Sequence, residues 1–160
     1  MTKNDFKEDL FRHKILLNAD IGSCFDAFAT DRGLSQWLLE RARYIADGKE
    51  SSHPVPGSRY LFDWKKNYSL SGVILDIKTP DYIRFTFGSS FEVEVYFKSR
   101  AARQTEILLV QYNLFPNTDS FPYINCCVCW GFFLTNLKSA LEYGIDLREV
   151  NEMNETFINQ

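Results

Sequence analysis

The residues of this sequence that could do chemistry are two histidines, four cysteines and two closely spaced glutamates. His13 lies in a strand-like segment and His53 in a polar one, and neither belongs to a recognisable nucleophile–base arrangement, so both are expected to be solvated. Glu92 and Glu94 would share one strand face opposite an apolar face, so they are expected to face water. We therefore predict no catalytic residues, and the sequence favours a protein that is not an enzyme.

The cysteines are typical of reduced, inert thiols. Cys126, Cys127 and Cys129 crowd into one helical segment where disulfide geometry is poor, and Cys24 stands apart. With two histidines and no second C-x-x-C pair, neither zinc nor another metal or cofactor is expected. Reduced thiols, together with the lack of a signal-like or membrane-spanning stretch, predict a cytoplasmic protein.

The aromatic residues carry the stronger functional signal. They make up 16% of the chain, alternate along two strand-like segments and recur in one long helical segment. Such residues can line an apolar pocket or simply fill a core, and both interpretations remain open. The candidate ligand-binding residues are Trp37, Tyr60, Phe62, Trp64, Phe85, Phe87, Val95, Gln111, Trp130, Phe133 and Leu137.

A long helix over residues 120–143 must position part of this set. Its apolar residues follow alternating steps of four and three, so they project from one side, and Gly144 supplies a residue that commonly ends a helix. A helix of this length, roughly 30 Å, could lie across a sheet. The apolar side consists of Tyr123, Cys127, Trp130, Leu134, Leu137 and Leu141.

The rest of the chain predicts one strand, two short helices and then about six strands. Asp20 is a suitable cap for the first short helix, and period-two alternation between residues 59 and 113 indicates strands. Short connections demand antiparallel pairing. The predicted class is therefore α+β, with a curved antiparallel sheet of about six or seven strands around the long C-terminal helix. We expect a single domain over residues 1–160, with a core at 11–148 and a tail at 149–160.

Several short motifs resemble the activator of heat-shock-protein-90 ATPase-like family, within the START-like (SRPBCC, birch-pollen-allergen-like) helix-grip superfamily. They are Leu34-Ser35-Gln36-Trp37, Pro56-Gly57-Ser58-Arg59-Tyr60, Gly72-Val73-Ile74-Leu75, the helix from Trp130 to Leu141, and the ending Leu141-Glu142-Tyr143-Gly144 with Asp146-Leu147-Arg148. The resemblance spans roughly residues 11–148 and implies a helix-grip fold with a cavity between sheet and helix. Many relatives have a histidine where this chain has Gln111, so histidine chemistry is not expected there.

Three functions follow from these patterns. The first is non-catalytic binding of a small hydrophobic or aromatic ligand in the cavity. The resemblance also implies a chaperone-associated interaction domain or, more weakly, a cyclase- or hydrolase-like enzyme using the same cavity. A net charge of −3 provides no general attraction for nucleic acid or anionic membranes, so neither partner is expected.

The predicted long helix also raises the question of oligomeric state. Its N-terminal half is apolar on nearly all sides, and a sheet cannot cover Val128 and Phe132 together with the opposite side. We expect either residues 145–160 or a second copy of the chain to cover them, with self-coverage favoured. Monomer and homodimer therefore both remain open.

Overall fold

One antiparallel sheet and one long helix make up most of the structure, a computed structural model that describes residues 10–64, 68–115 and 121–149. The elements follow in the order β1 (Leu10–Leu17), α1 (Ile21–Ala29), α2 (Asp31–Ser35), β2 (Arg41–Ala46), β3 (Lys49–Ser51), β4 (Arg59–Trp64), β5 (Tyr68–Lys78), β6 (Tyr82–Phe87), β7 (Phe91–Ala101), β8 (Gln104–Asn113) and α3 (Phe121–Tyr143).

The sheet has eight strands in the order β1-β8-β7-β6-β5-β4-β2-β3, and each neighbouring pair is antiparallel. Strand β1 pairs with β8, with Ile15 opposite Ile107. The predicted α+β helix-grip fold is confirmed. The eighth strand is β3, which was not predicted and which pairs with β2 at the edge of the sheet.

The two short helices after β1 are capped by side chains, and they pack closely against each other at Gly33. Asp20 caps α1 as predicted, accepting a hydrogen bond from the Ser23 N–H at 2.9 Å, and Thr30 caps α2 by accepting from the Gly33 N–H at 2.9 Å. A Cβ at Gly33 would lie 2.0 Å from the Asp26 carbonyl oxygen, so this position requires glycine. The turn after α2 buries Trp37 completely, and its Nε1 donates to the Ala27 carbonyl at 2.8 Å.

Helix α3 packs its predicted apolar side against the sheet. Trp130, Leu134 and Leu137 are buried, and the helix ends at Tyr143 before Gly144, whose φ is 69°. Val128 points outward and is 46% exposed. Residue 120 of the predicted helix and residues 150–160 of the proposed tail lie outside the described residues.

A buried side chain of α3 anchors the segment that follows it. The Asn136 Nδ2 donates to the Trp37 carbonyl at 2.7 Å and to Asp146 at 3.0 Å, while its Oδ1 accepts from the Leu147 N–H at 2.7 Å. Arg148 in turn donates to the Leu39 carbonyl at 2.8 Å. The chain therefore doubles back from α3 toward the turn that follows α2.

Candidate functional site

An open cavity lies between the N-terminal half of α3 and the ends of β4 and β6. Its volume is about 290 Å³, and no charged side chain lines it within residues 10–64, 68–115 and 121–149. A cavity with apolar walls suits an uncharged molecule, because burying an unpaired charge is costly. Its lining consists of Leu38, Trp64, Tyr68, Phe87, Asn125, Cys126, Cys129, Trp130 and Phe133.

Two strand ends and one helix face bring the aromatic walls together. Trp64 is the last residue of β4 and Phe87 the last residue of β6, and their ring centroids lie 6.5 Å apart. Phe87 also meets Trp130 of α3 at 5.5 Å. Tyr68 begins β5 directly opposite Trp64, and their rings lie 5.6 Å apart. The end of the β4–β5 hairpin therefore forms the outer wall of the cavity.

Four of the candidate residues chosen from the sequence line this cavity, namely Trp64, Phe87, Trp130 and Phe133. The structure places the others in the packed core beside it. Tyr60 stacks on Phe62 with ring centroids 4.1 Å apart, and Val95 is completely buried. The core set is Trp37, Tyr60, Phe62, Phe85, Val95, Gln111 and Leu137, each at most 5% exposed. Contact of any of these residues with a ligand remains a prediction.

Five lining residues were not among the sequence candidates. They are Leu38, Tyr68, Asn125, Cys126 and Cys129. Helical spacing could have indicated the cysteines, because residues 126, 129 and 133 share a side of a helix that borders Trp130. Tyr68 lines the cavity because it pairs with Trp64 across β4 and β5, a register that hydrophobic periodicity alone does not give.

A second, more polar groove adjoins the mouth of the cavity. It has a volume of about 260 Å³ and shares Tyr68, Phe87, Asn125 and Cys126 with the cavity. The remaining lining residues are Leu70, Gly88, Ser89, Ser90, Phe91 and Pro122. The site thus combines an apolar interior with a polar mouth.

A buried amide supports the inner wall of the cavity. Gln111 is completely buried, and its Oε1 accepts a hydrogen bond from Trp130 Nε1 at 2.8 Å. Its Nε2 has no hydrogen-bond partner among the described atoms. Burial raises the pKa of the neighbouring Cys126 thiol, and the Gln111 side chain opposes that rise. The Gln111 amide therefore holds the Trp130 ring in place.

His13 and Cys127 approach each other in an arrangement that resembles a catalytic dyad. The His13 Nε2 lies 3.7 Å from the Cys127 sulfur but 2.9 Å from the Cys127 carbonyl oxygen. A carbonyl oxygen only accepts, so Nε2 carries the proton and cannot take one from the thiol. The expectation that His13 is solvated is wrong, because it packs half-buried against α3, whereas His53 is exposed as predicted.

The two glutamates on the outer face of the sheet are also less solvated than expected. Both are half-buried, and each pairs with Arg84, at 3.8 Å in the case of Glu94. Burial alone would raise the pKa of Glu94, but hydrogen bonds from three phenols and the charge of Arg84 hold it below its usual value. The phenols belong to Tyr82, Tyr96 and Tyr112, at 3.1, 2.9 and 2.9 Å. This network braces the sheet on the face away from the cavity.

Neither a metal cluster nor a membrane-spanning helix is found in the described part of the chain. No three His, Cys, Asp or Glu side chains within it come together in a group that could hold a metal ion. None of its helices is both long and apolar enough to cross a membrane.

Comparisons with known proteins give family and fold. A family model described as Activator of Hsp90 ATPase homolog 1-like protein matches residues 18–142. No curated protein sequence matches the chain significantly. A crystal structure from Staphylococcus saprophyticus is similar with a TM-score of 0.72 and 18% identity, covering 87% of this chain and 96% of the other.

Two further solved structures have informative descriptions. The Aha1 dimer of Colwellia psychrerythraea aligns with a TM-score of 0.68 and 21% identity, over 84% of this chain and 97% of the other. An HSP90 activator from Plasmodium falciparum aligns with a TM-score of 0.64 and 19% identity, over the same shares. At these identities the structural likeness concerns the fold.

Proposed function

Since the chain belongs to the Activator of Hsp90 ATPase homolog 1-like family, we propose that it is a binding protein for a small, uncharged, apolar or aromatic molecule. The ligand lies between the sheet and the N-terminal half of α3, in contact with Trp64, Phe87, Trp130 and Phe133. We further propose the cytoplasm as its compartment, because cysteines in the reduced form, three of them in one helix, suit a reducing environment.

The observation that supports this proposal is the cavity of about 290 Å³ with aromatic walls. A molecule that buries about 200 Å² of apolar surface there gains roughly 5 kcal/mol before the costs of association. The polar groove at the mouth, with Ser89 and Ser90, leaves room for a neutral polar group on the ligand. The favoured class is therefore an aromatic or alicyclic compound with one hydroxyl, carbonyl or amide group.

The test uses Nile red, a neutral dye whose emission rises in apolar surroundings. Asn125→Trp places an indole at the mouth of the cavity, while Ile124→Trp, on the outward side of the same helical turn, is the matched control. We expect one dye per chain in the native protein, loss of binding in the first variant and retention in the second. Equal dye binding by both variants would contradict this location.

A second candidate function is association with a chaperone. The family description and the solved HSP90 activator of Plasmodium falciparum favour it. The test is whether the purified chain stimulates the ATPase of an Hsp90-type chaperone. Stimulation that cavity-filling variants retain in full would support a surface role independent of the cavity. The enzyme hypothesis stays a prediction, to be tested by turnover of any compound that competes with the dye.

A further inference from the structure

Two cysteine thiols lie in the wall of the cavity. Cys126 and Cys129 are one helical turn apart on α3, and both line the space bounded by Trp64, Phe87 and Trp130. Both cysteines are reduced and half-buried, and the Cys129 Sγ lies 3.7 Å from the Asn125 Oδ1. The C-x-x-C spacing therefore presents two soft ligands to one apolar chamber.

We propose that Cys126 and Cys129 form a dithiol site that chelates the arsenic of a monosubstituted trivalent arsenical, with its organic substituent lying in the cavity. The site uses the same cavity as the proposed function but does not depend on what else binds there. The inference rests on the spacing of the two cysteines along the helix, the uncharged described lining of the cavity, a buried hydrogen-bond donor and the apolar walls.

The helix spacing favours a bridged pair over a disulfide. Side chains three residues apart on a helix have Cβ atoms about 5–6 Å apart, whereas a disulfide requires about 3.5–4.5 Å. An S–S bond between Cys126 and Cys129 would distort α3. One atom bonded to both sulfurs, with bonds of roughly 2.3 Å as in metal thiolates, spans the longer gap and leaves the helix intact.

The described lining of the cavity carries no charged side chain, which favours a neutral adduct. No described lining residue is charged, and burial raises the pKa of the Cys126 thiol, so a net charge is disfavoured there. Two thiolates on Cu⁺ keep a negative charge, while two thiolates on R–As²⁺ give a neutral product. Zn²⁺ would also be neutral but needs further ligands, and the described residues bring no third ligand-type side chain to the pair.

A buried donor beside the pair assists the reaction. The Gln111 Nε2 lacks a hydrogen-bond partner among the described atoms, and the same side chain opposes the rise in the pKa of the Cys126 thiol. A donor near sulfur stabilises the thiolate, which is the attacking form. The Gln111 side chain thus partly offsets the effect of burial, which still raises the pKa of the Cys126 thiol.

The chemistry is a ligand exchange without oxidation. In water the arsenical is R–As(OH)₂, and each sulfur forms an As–S bond as an As–O bond breaks. Each thiol gives its proton to the departing oxygen, so two water molecules leave and arsenic keeps its oxidation state. The aromatic walls, Trp64 and Phe87 above all, then pack against the substituent R.

The test titrates the reduced full-length chain with phenylarsine oxide, measuring bound arsenic by mass spectrometry and remaining thiols after denaturation. We expect one arsenic per chain and the loss of two of the four thiols. Cys126→Ser and Cys129→Ser should each weaken binding at least about 100-fold, the lower range of the gain from two linked ligands. The controls Cys127→Ser and Cys24→Ser should bind as the native chain does.

Thermal unfolding checks that each variant is folded, and alanine replaces serine where a serine variant is not. The proposal would be overturned if folded variants of Cys126 or Cys129 bound the arsenical as tightly as the native chain, or if Cys127→Ser lost binding. Binding of Zn²⁺ or Cu⁺ without binding of the arsenical would overturn it as well. Nile red separates the two proposals. A chain that binds the arsenical but no dye supports the dithiol site and contradicts the proposed ligand class alone.

Discussion

The hydrogen bond between Trp130 and Gln111 provides the sharpest test of how α3 is held on the sheet. Both side chains are buried, and among the described residues the indole N–H is the donor to the Gln111 Oε1. Trp130→Phe removes that donor and keeps an aromatic ring against Phe87. Its effect is to be measured in the native chain and again in a Gln111→Leu background.

The expected cost of Trp130→Phe has two parts. The Gln111 Oε1 loses its partner while its Nε2 already lacks one, and an unsatisfied buried group costs about 1–3 kcal/mol. The smaller ring leaves a void of about 40 Å³, or about 1 kcal/mol at 24 cal/mol per Å³. The free energy of unfolding should therefore fall by about 2–4 kcal/mol, against about 3–5 kcal/mol for Trp130→Ala.

Gln111→Leu removes the amide, so in that background Trp130→Phe should lower the free energy of unfolding by only about 1 kcal/mol. The coupling energy of this double-mutant cycle is expected to be about 1–3 kcal/mol. Urea denaturation followed by far-ultraviolet circular dichroism measures all four proteins. Trp37→Phe is the control, because its indole donates to the Ala27 carbonyl and should add to Gln111→Leu within about 0.5 kcal/mol. A coupling below about 0.5 kcal/mol between positions 130 and 111 would refute the bond.

Three further predictions concern other contacts. Asn136→Leu should lower the free energy of unfolding by about 2–4 kcal/mol and speed hydrogen exchange at the Leu147 amide, and unchanged exchange would count against this anchor. The pKa of Glu94 is held below 4.5, so the charged form stabilises the fold above that pH, and this stabilisation is lost as the pH falls through the pKa of the folded state. Glu94→Gln should therefore lower the free energy of unfolding at pH 7 and make its decrease below about pH 4.5 less steep. A variant whose stability falls with acid as steeply as that of the native chain would contradict this role of Glu94. Truncation after Arg148 tests the predicted coverage of α3 by the tail and should lower stability or increase the mass in sedimentation, while an unchanged chain would rule that coverage out.

Periodicity was sufficient to predict the elements whose pattern spans several residues. The outward and inward sides of β7, with Val93 and Val95 buried, follow from strict alternation, and the end of α3 follows from Gly144. Strand β3 could not be predicted in this way. Its three residues are polar and exposed, and they form a strand only because β2 offers a pairing partner, with Tyr44 opposite Ser51. Its existence depends on tertiary structure.

The burial of His13 and Glu94 was not predicted, for two different reasons. His13 lies on the same face of β1 as the buried Phe11 and Leu17, so alternation alone would have directed it inward. It meets α3 there, and its Nε2 lies 2.9 Å from the Cys127 carbonyl oxygen. Glu94 lies at a polar position of β7, where alternation predicts solvent, but tyrosines from the neighbouring strands reach across to it. Those tyrosines are distant in sequence, and the pattern of β7 alone does not contain them.

The position of the cavity follows from side-chain volume more than from polarity. Phe62 and Trp64 share a strand face, yet Phe62 is buried among neighbouring rings while Trp64 borders open space. On the opposite wall, Cys126 and Cys129 are short side chains where Trp130 and Phe133 on the same side of α3 are long. Short side chains that face a strand end leave unfilled volume. Hydrophobic periodicity does not detect that volume, because it scores a small apolar residue such as cysteine in the same way as a large one. A sum of side-chain volumes along each helix face would have indicated this end of the helix as the hollow one.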